Sequence, residues 1–249
     1  MAFGQKIIFN GSSEYGKYKV VDMQYVGRDA RVLYGDGRSP QSGVALDDDP
    51  ELLFEYNQRF MEMIISKRPK KILVIGGGVF MLPTAVINRF PDIAVDVVEI
   101  DGLLVDLARK YFDLPQTSRL KIFIEDGKTY LENTPQQYDM IIVDAFSGFT
   151  IPHHLLERSA AVLYKKHLRK NGVVAINFIS EFIGPRHRLT HDIVYTFSEV
   201  FAFQDLYQAD SDYPKKEDQN LLFIAGRDAV EFDYLQSVSV IDLVHAPSS

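Results

Sequence analysis

The stretch KKILVIGGG, residues 70–78, decides the fold. Ile72 to Ile75 are aliphatic without a break, and three glycines follow at once. A short apolar run without alternation, ending in glycine, reads as a strand buried on both faces. Such strands belong to parallel sheets covered by helices on either side. The texture repeats downstream. AVDVVEID (94–101), LKIFIEDG (120–127), YDMIIVDAF (138–146) and GVVAINF (172–178) read as further buried strands. Helical patterns over 81–90, 102–111, a short segment after 127, 153–169 and 186–199 separate them. The helix over 153–169 is expected to stop at Asn171-Gly172, a good C-cap pair. FAFQDLY (201–207) and NLLFIAG (220–226) are joined by a polar loop with no helix, so one of the two is expected to be antiparallel.

Upstream the texture differs. From Lys17 to about Gly43 short extended pieces flank the turn signal Gly35-Asp36-Gly37. They predict a small β-meander. Asp47-Asp48-Asp49-Pro50 reads as acidic capping material opening a helix that carries Leu52, Leu53, Tyr56, Phe60, Met63 and Ile64. The expected organisation is a small β region over 1–48 and an α/β unit over 49–249.

Composition bounds the function. The chain has 249 residues and 46% apolar residues, enough for a full core. With 27 Lys and Arg against 34 Asp and Glu, the net charge is −7, which argues against general nucleic-acid or anionic-membrane binding. The absence of cysteine rules out disulfides, thiolate zinc sites and a cysteine nucleophile. No apolar run approaches the length of a membrane span and the first residues lack an apolar signal core, so a cytoplasmic protein is expected.

The chemistry gathers at strand ends. Gly76-Gly77-Gly78 allow close backbone approach, either to a ligand or simply for a tight turn. The dinucleotide fingerprint asks for a further glycine where Met81 stands, which disfavours pyrophosphate and favours a nucleoside without it. Glu99 ends the second strand and can accept from both hydroxyls of a ribose. Asp101, just beyond, reads equally as a helix cap or a ligand contact. Asp126-Gly127 can meet an adenine amino group or serve as another cap and turn. Asp144 follows the fourth strand. Ligands of open α/β sheets bind outside the carboxyl ends of strands, so the ordered set suits a nucleoside of the S-adenosyl type. His187 and His191 lack the glutamate of a zinc-protease helix, and no metal is expected. His153-His154 read as a solvated pair at a helix start. The cations of KKHLRK, residues 165–170, suit the last turn of a helix.

With these motifs in this order the chain resembles the spermidine/spermine synthase family of aminopropyltransferases. The segments QSG at Gln41, ILVIGGG, VEID, EDG, IIVDAF and the late Tyr213-Pro214 carry the resemblance. It implies a Rossmann-like, methyltransferase-type sheet behind a small N-terminal β region, in a homodimer or homotetramer. It implies decarboxylated S-adenosylmethionine as donor and a small-molecule amine as acceptor, with neither nucleic acid nor membrane as partner. Gln41 and Glu99 would hold the donor's methionine-derived part and ribose. Gly76, Gly77, Gly78 and Asp101 would frame the donor, and Asp126 and Gly127 would meet adenine. Asp144 matches the catalytic aspartate, and Ser147 and Tyr213 fall on the substrate side. The family's GGGDGG pattern has Val79 in place of its aspartate, its second loop acid is Ser147, and its linker glutamate is Gln58. Three neutral residues thus stand where ammonium groups would be neutralised, and weak putrescine turnover is expected. A methyltransferase using S-adenosylmethionine and a degenerate nucleoside-binding homologue are the alternatives.

Overall fold

The computed structural model describes residues 4–36, 40–47, 52–146, 150–184, 187–228 and 237–238. Four strands, β1 (Lys6–Ser12), β2 (Lys17–Tyr25), β3 (Arg28–Tyr34) and β4 (Pro40–Ala45), form an antiparallel sheet in that order. The meander therefore gains β1, whose Ile7 is 55% exposed and so lacks a strong burial pattern. Helix α1 (Glu55–Lys67) leads into the main sheet. Its N-cap is Phe54, without a side-chain cap bond, so the helix does not open at the acidic cluster as expected. Residues 48–50 of that cluster and Gly37 of the turn lie outside the described residues.

The main sheet contains β5 (Lys71–Ile75), β6 (Ala94–Glu99), β7 (Leu120–Ile124), β8 (Tyr138–Val143), β9 (Leu168–Ser180), β10 (Phe203–Gln208), β11 (Gln219–Gly226) and the short β12 (Ser237–Val238). Helices α2 (Met81–Arg89), α3 (Gly102–Tyr111), α4 (Gly127–Asn133), α5 (Arg158–His167) and α6 (Arg188–Ser198) connect them. The spatial order is β12-β10-β11-β9-β8-β5-β6-β7. Strands β5 to β9 are parallel neighbours, and β11 runs antiparallel between β9 and β10. Strand direction reverses because only a loop joins β10 to β11.

Alternation along the strands builds two cores. Ile72 and Val74 join α1, α2 and α3 on one face, while Leu73 and Ile75 join α4, α5 and α6 on the other. Tyr18, Val20 and Leu33 of the N-terminal sheet belong to the first core. Arg31 ties that sheet to the end of α3: it pairs with Asp22 at 2.7 Å and donates to the Tyr111 carbonyl at 3.0 Å.

One helix end differs from expectation. Helix α5 stops at His167, not at Asn171-Gly172. Leu168 is drawn into register with Tyr138, and the ladder resumes at Met140 and Val173. The surplus residues form an irregularity in which Asn171 takes φ 62°. Cross-strand pairing thus overrides the local capping signal.

Candidate active site

Chain order reverses direction between β5 and β8, which places a crevice at the carboxyl edge of the sheet. A cavity of about 920 Å³ occupies it, roofed by the N-terminal sheet and α1. Gln41, Gly76, Gly77, Gly78, Glu99, Asp101, Asp126, Gly127, Asp144 and Tyr213 all line it. Ser147 lies outside the described residues.

The glycine loop is built for backbone contact. Gly76 has φ +90°, and a Cβ there would stand 2.4 Å from the Asp144 carbonyl oxygen. Its first service is therefore to let β5 approach the segment after β8. Gly78 also needs a positive φ, +52°, and faces Ser42. Val79 and Phe80 turn away into the core, both fully buried. Phe80 holds φ 64° as N-cap of α2, a conformation costly for a residue with a Cβ. Burial of its ring beneath Gly77 offsets that strain.

Glu99 is 5% exposed and its carboxylate grips this loop. One oxygen accepts from the N–H groups of Gly77 at 2.7 Å and Gly78 at 3.2 Å; the other accepts from Asp101 N–H at 2.9 Å. Burial raises its pKa, although the three N–H groups pull the other way. A carboxylate offers about four acceptor positions, so three backbone bonds leave room for a ribose hydroxyl. Asp101 caps α3 by accepting from Leu103 N–H at 2.9 Å, and its other oxygen accepts from the Ser13 hydroxyl at 2.5 Å. Tyr18 also bonds it, and burial with that bond raises the tyrosine's pKa. The β1–β2 turn is thereby latched onto the cavity rim.

Asp126 caps α4 through Thr129 N–H at 2.9 Å. Its other oxygen meets His154 Nε2 at 2.7 Å. Burial pushes its pKa up, but the Thr129 and His154 bonds outweigh that and leave it lowered. His154 thus lines the cavity and has a partner there while its side chain stays 43% exposed; His153 is solvated, at 90% side-chain exposure. The proximity of residues 126 and 154 depends on how α4 and the 3-10 turn His153–Leu155 meet, which no local pattern encodes.

Asp144 is anchored by its N–H to the Ile75 carbonyl at 2.8 Å. Its Oδ1 accepts from Asn177 Nδ2 at 2.8 Å. Burial pushes its pKa up to about 7, with Glu99 adding to the rise and Asn177 opposing it. Tyr56 of α1 faces the same space, donates to the Gln41 carbonyl at 3.1 Å, and has its pKa raised by burial and by Asp144. Asn177 escaped the sequence reading; the available signal was one amide inside the apolar run GVVAINF. Asp218, like Tyr213, lines the cavity and adds a carboxylate to it. Gln58 bonds the Leu52 carbonyl at 2.6 Å and does not line the cavity. Among the described residues no group of three or more His, Cys, Asp or Glu side chains could hold a metal ion.

Residues 56–210, more than half of the chain, match the spermine/spermidine synthase domain model. The chain belongs to this family. A polyamine aminopropyltransferase of Vibrio vulnificus is 30% identical over 136 residues, 53% of this chain and 46% of that protein. The chain thus spans about half the length of that relative. The crystal structure of a probable spermidine synthase from Corynebacterium glutamicum superposes with a TM-score of 0.78 at 20% identity, covering 96% of this chain and 86% of that one. Human methyltransferase-like protein 13, in complex with SAH, superposes with a TM-score of 0.59 at 20% identity, covering 76% and 88%. The spermidine synthase family fold is therefore the methyltransferase-type sheet read from the strand order.

Proposed function

We propose that the chain is a transferase moving an aminopropyl group from decarboxylated S-adenosylmethionine to an amine. The observation that carries this is Asp144: a carboxylate in the wall of the cavity that the glycine loop and Tyr213 also line, held by Asn177 Nδ2 at 2.8 Å, its pKa pushed up by burial to about 7. An alkyl ammonium has a pKa of about 10.4, so it arrives protonated. Asp144 takes its proton. The freed nitrogen pair attacks the carbon bonded to the sulfonium, a C–N bond forms, the C–S bond breaks, and its electrons stay on sulfur as a neutral thioether. The sulfonium is already a good leaving group, so the protein supplies orientation and a base. Gly77, Gly78 and Glu99 suit the ribose side and Asp126 with Gly127 the adenine side. The absence of an acid at Val79, Gln58 and Ser147 supports low turnover with putrescine.

One observation favours a second reading, methyl transfer from intact S-adenosylmethionine. Val79 is fully buried in the core and offers the donor's tail no carboxylate. The test is product formation from each donor with a panel of amines, alongside thermal shifts with both donors and their thioether products. Transfer of the aminopropyl group, abolished by Asp144→Asn, is expected. Transfer of methyl alone refutes the first reading, and nucleoside binding without either product supports a degenerate homologue. The readings of a homodimer or homotetramer, and of a cytoplasmic location, rest on the family resemblance and composition. Among the described residues no helix is long and apolar enough to cross a membrane.

A further inference from the structure

His154 lines the cavity beside Glu125, Asp126 and Gly127, and the proposed reaction gives it no task. Its Nε2 lies 2.7 Å from Asp126 Oδ2. Burial raises the Asp126 pKa, but its bonds to Thr129 and His154 leave it lowered. The group is therefore an ionised carboxylate, which can only accept. The proton between the two residues sits on Nε2. In the neutral ring that leaves Nδ1 bare, as an acceptor. Nδ1 has no hydrogen-bond partner among the described residues, and it is not sealed from solvent. The side chain that carries it is 43% exposed. Lys128 of α4 does not compete for it, being engaged by Glu157 at 3.4 Å and Ser159 at 2.9 Å.

Asp126 itself is nearly full. Thr129 bonds it through its N–H at 2.9 Å and again through its hydroxyl, and His154 takes a third position. A carboxylate offers about four, so there is room for one N–H of a ligand. A purine 6-amino group presents two N–H bonds on one nitrogen. We propose that His154 is a specificity-determining residue for the donor's base: held by Asp126, its Nδ1 accepts one N–H of a purine 6-amino group while Asp126 accepts the other. The inference rests on the nucleoside reading of the cavity and names what is read on the base. A 6-oxopurine sets a carbonyl oxygen against two acceptors and leaves both without a donor, which a site of this kind rejects strongly. An N6-methylated purine keeps a single N–H and satisfies only one of the pair.

The test needs no turnover. The whole protein at pH 8 is titrated calorimetrically with 5′-methylthioadenosine, its N6-methyl derivative and 5′-methylthioinosine. His154→Phe keeps a ring no smaller than imidazole but without nitrogen, so it removes the hydrogen bond and relieves no crowding. His154→Leu is measured in parallel, so failure of one to fold leaves the other. The wild type is expected to bind the N6-methyl compound about tenfold more weakly than 5′-methylthioadenosine, and the 6-oxo compound roughly a hundredfold more weakly. In either variant the first ratio is expected to fall below about threefold and the second by about fivefold. Imidazole ¹⁵N spectra, assigned with His154→Phe, are expected to show a proton on Nε2 and an Nδ1 signal that moves on binding 5′-methylthioadenosine. Ratios unchanged in the variants, the result if Asp126 or Glu125 reads the base without His154, overturn the inference. So does a wild type that binds the three compounds alike, or an Nδ1 signal that does not move. Failure of all three to bind overturns it together with the nucleoside reading. The expected ratios with no product from either donor would refute the proposed transfer and leave the inference standing.

Discussion

Gly76→Ala tests whether the first glycine of the loop serves the sheet before it serves a ligand. Its φ of +90° is open to glycine and strained for alanine, at a cost of about 1–3 kcal/mol. The added methyl would stand 2.4 Å from the Asp144 carbonyl oxygen and 2.7 Å from Ala145 Cα. Those are backbone atoms, held by Asp144 N–H to the Ile75 carbonyl and Gly76 N–H to the Val98 carbonyl, each at 2.8 Å. No side chain can rotate away, so overpacking adds about 1–3 kcal/mol. The combined loss is roughly 2–6 kcal/mol; for a chain of this length each kcal/mol lowers the midpoint by about 2–4 °C. A loss near 4 kcal/mol lowers Tm by about 8–16 °C. Thermal melts by circular dichroism measure it, with Gly102→Ala as control. A Cβ at Gly102 meets only Ile124 side-chain atoms, 3.6 Å away, and no positive φ is required there. The control is expected to match or slightly exceed the wild type. A Gly76→Ala protein melting within about 2 °C of the wild type, a loss of at most ~1 kcal/mol, would refute the steric reasoning.

Three further outcomes are expected. Burial raises the pKa of Asp144 in the folded state to about 7, so its stabilising contribution is present below its unfolded pKa and is lost as pH rises through 7. Asp144→Asn should therefore melt above the wild type at pH 8, with the difference gone near pH 4; equal melts at pH 8 would contradict the burial of this carboxylate. Glu99→Gln places an amide N–H₂ against at least one of the N–H groups of Gly77, Gly78 and Asp101, and should weaken thioether-nucleoside binding by roughly 1–3 kcal/mol. Calorimetry showing unchanged affinity would remove Glu99 from the site. Asp101→Ala removes the cap of α3 and the Ser13 latch, and should cost about 1–3 kcal/mol. Ser13→Ala made in the Asp101→Ala background should then cost less than in the wild type; full additivity in the double-mutant cycle would show that the latch carries no energy.

What the sequence by itself determined is the layered α/β architecture. Unbroken aliphatic runs such as ILVI cannot sit on a one-faced sheet, and the helix-free loop between the last two long strands demands a reversal. Both are consequences of local period and chain length, readable without contacts. Strand ends were legible for the same reason, so Gly76–Gly78, Glu99, Asp126 and Asp144 could be assigned to one edge before any coordinates. Tertiary structure decided what each side chain does there. Glu99 spends two hydrogen bonds on the glycine loop and a third on Asp101 N–H, and Gly76 is required by the Asp144 backbone; the loop bonds and the Gly76 contact join atoms far apart in the chain. Pairing of Leu168 with Tyr138 ended α5 early, because a sheet ladder outweighs a capping signal worth about 1 kcal/mol. The contacts of His154 with Asp126 and of Asn177 with Asp144 span 28 and 33 residues. No spacing rule encodes them, since side-chain partnership between neighbouring strands is set by register and by the packing that holds it.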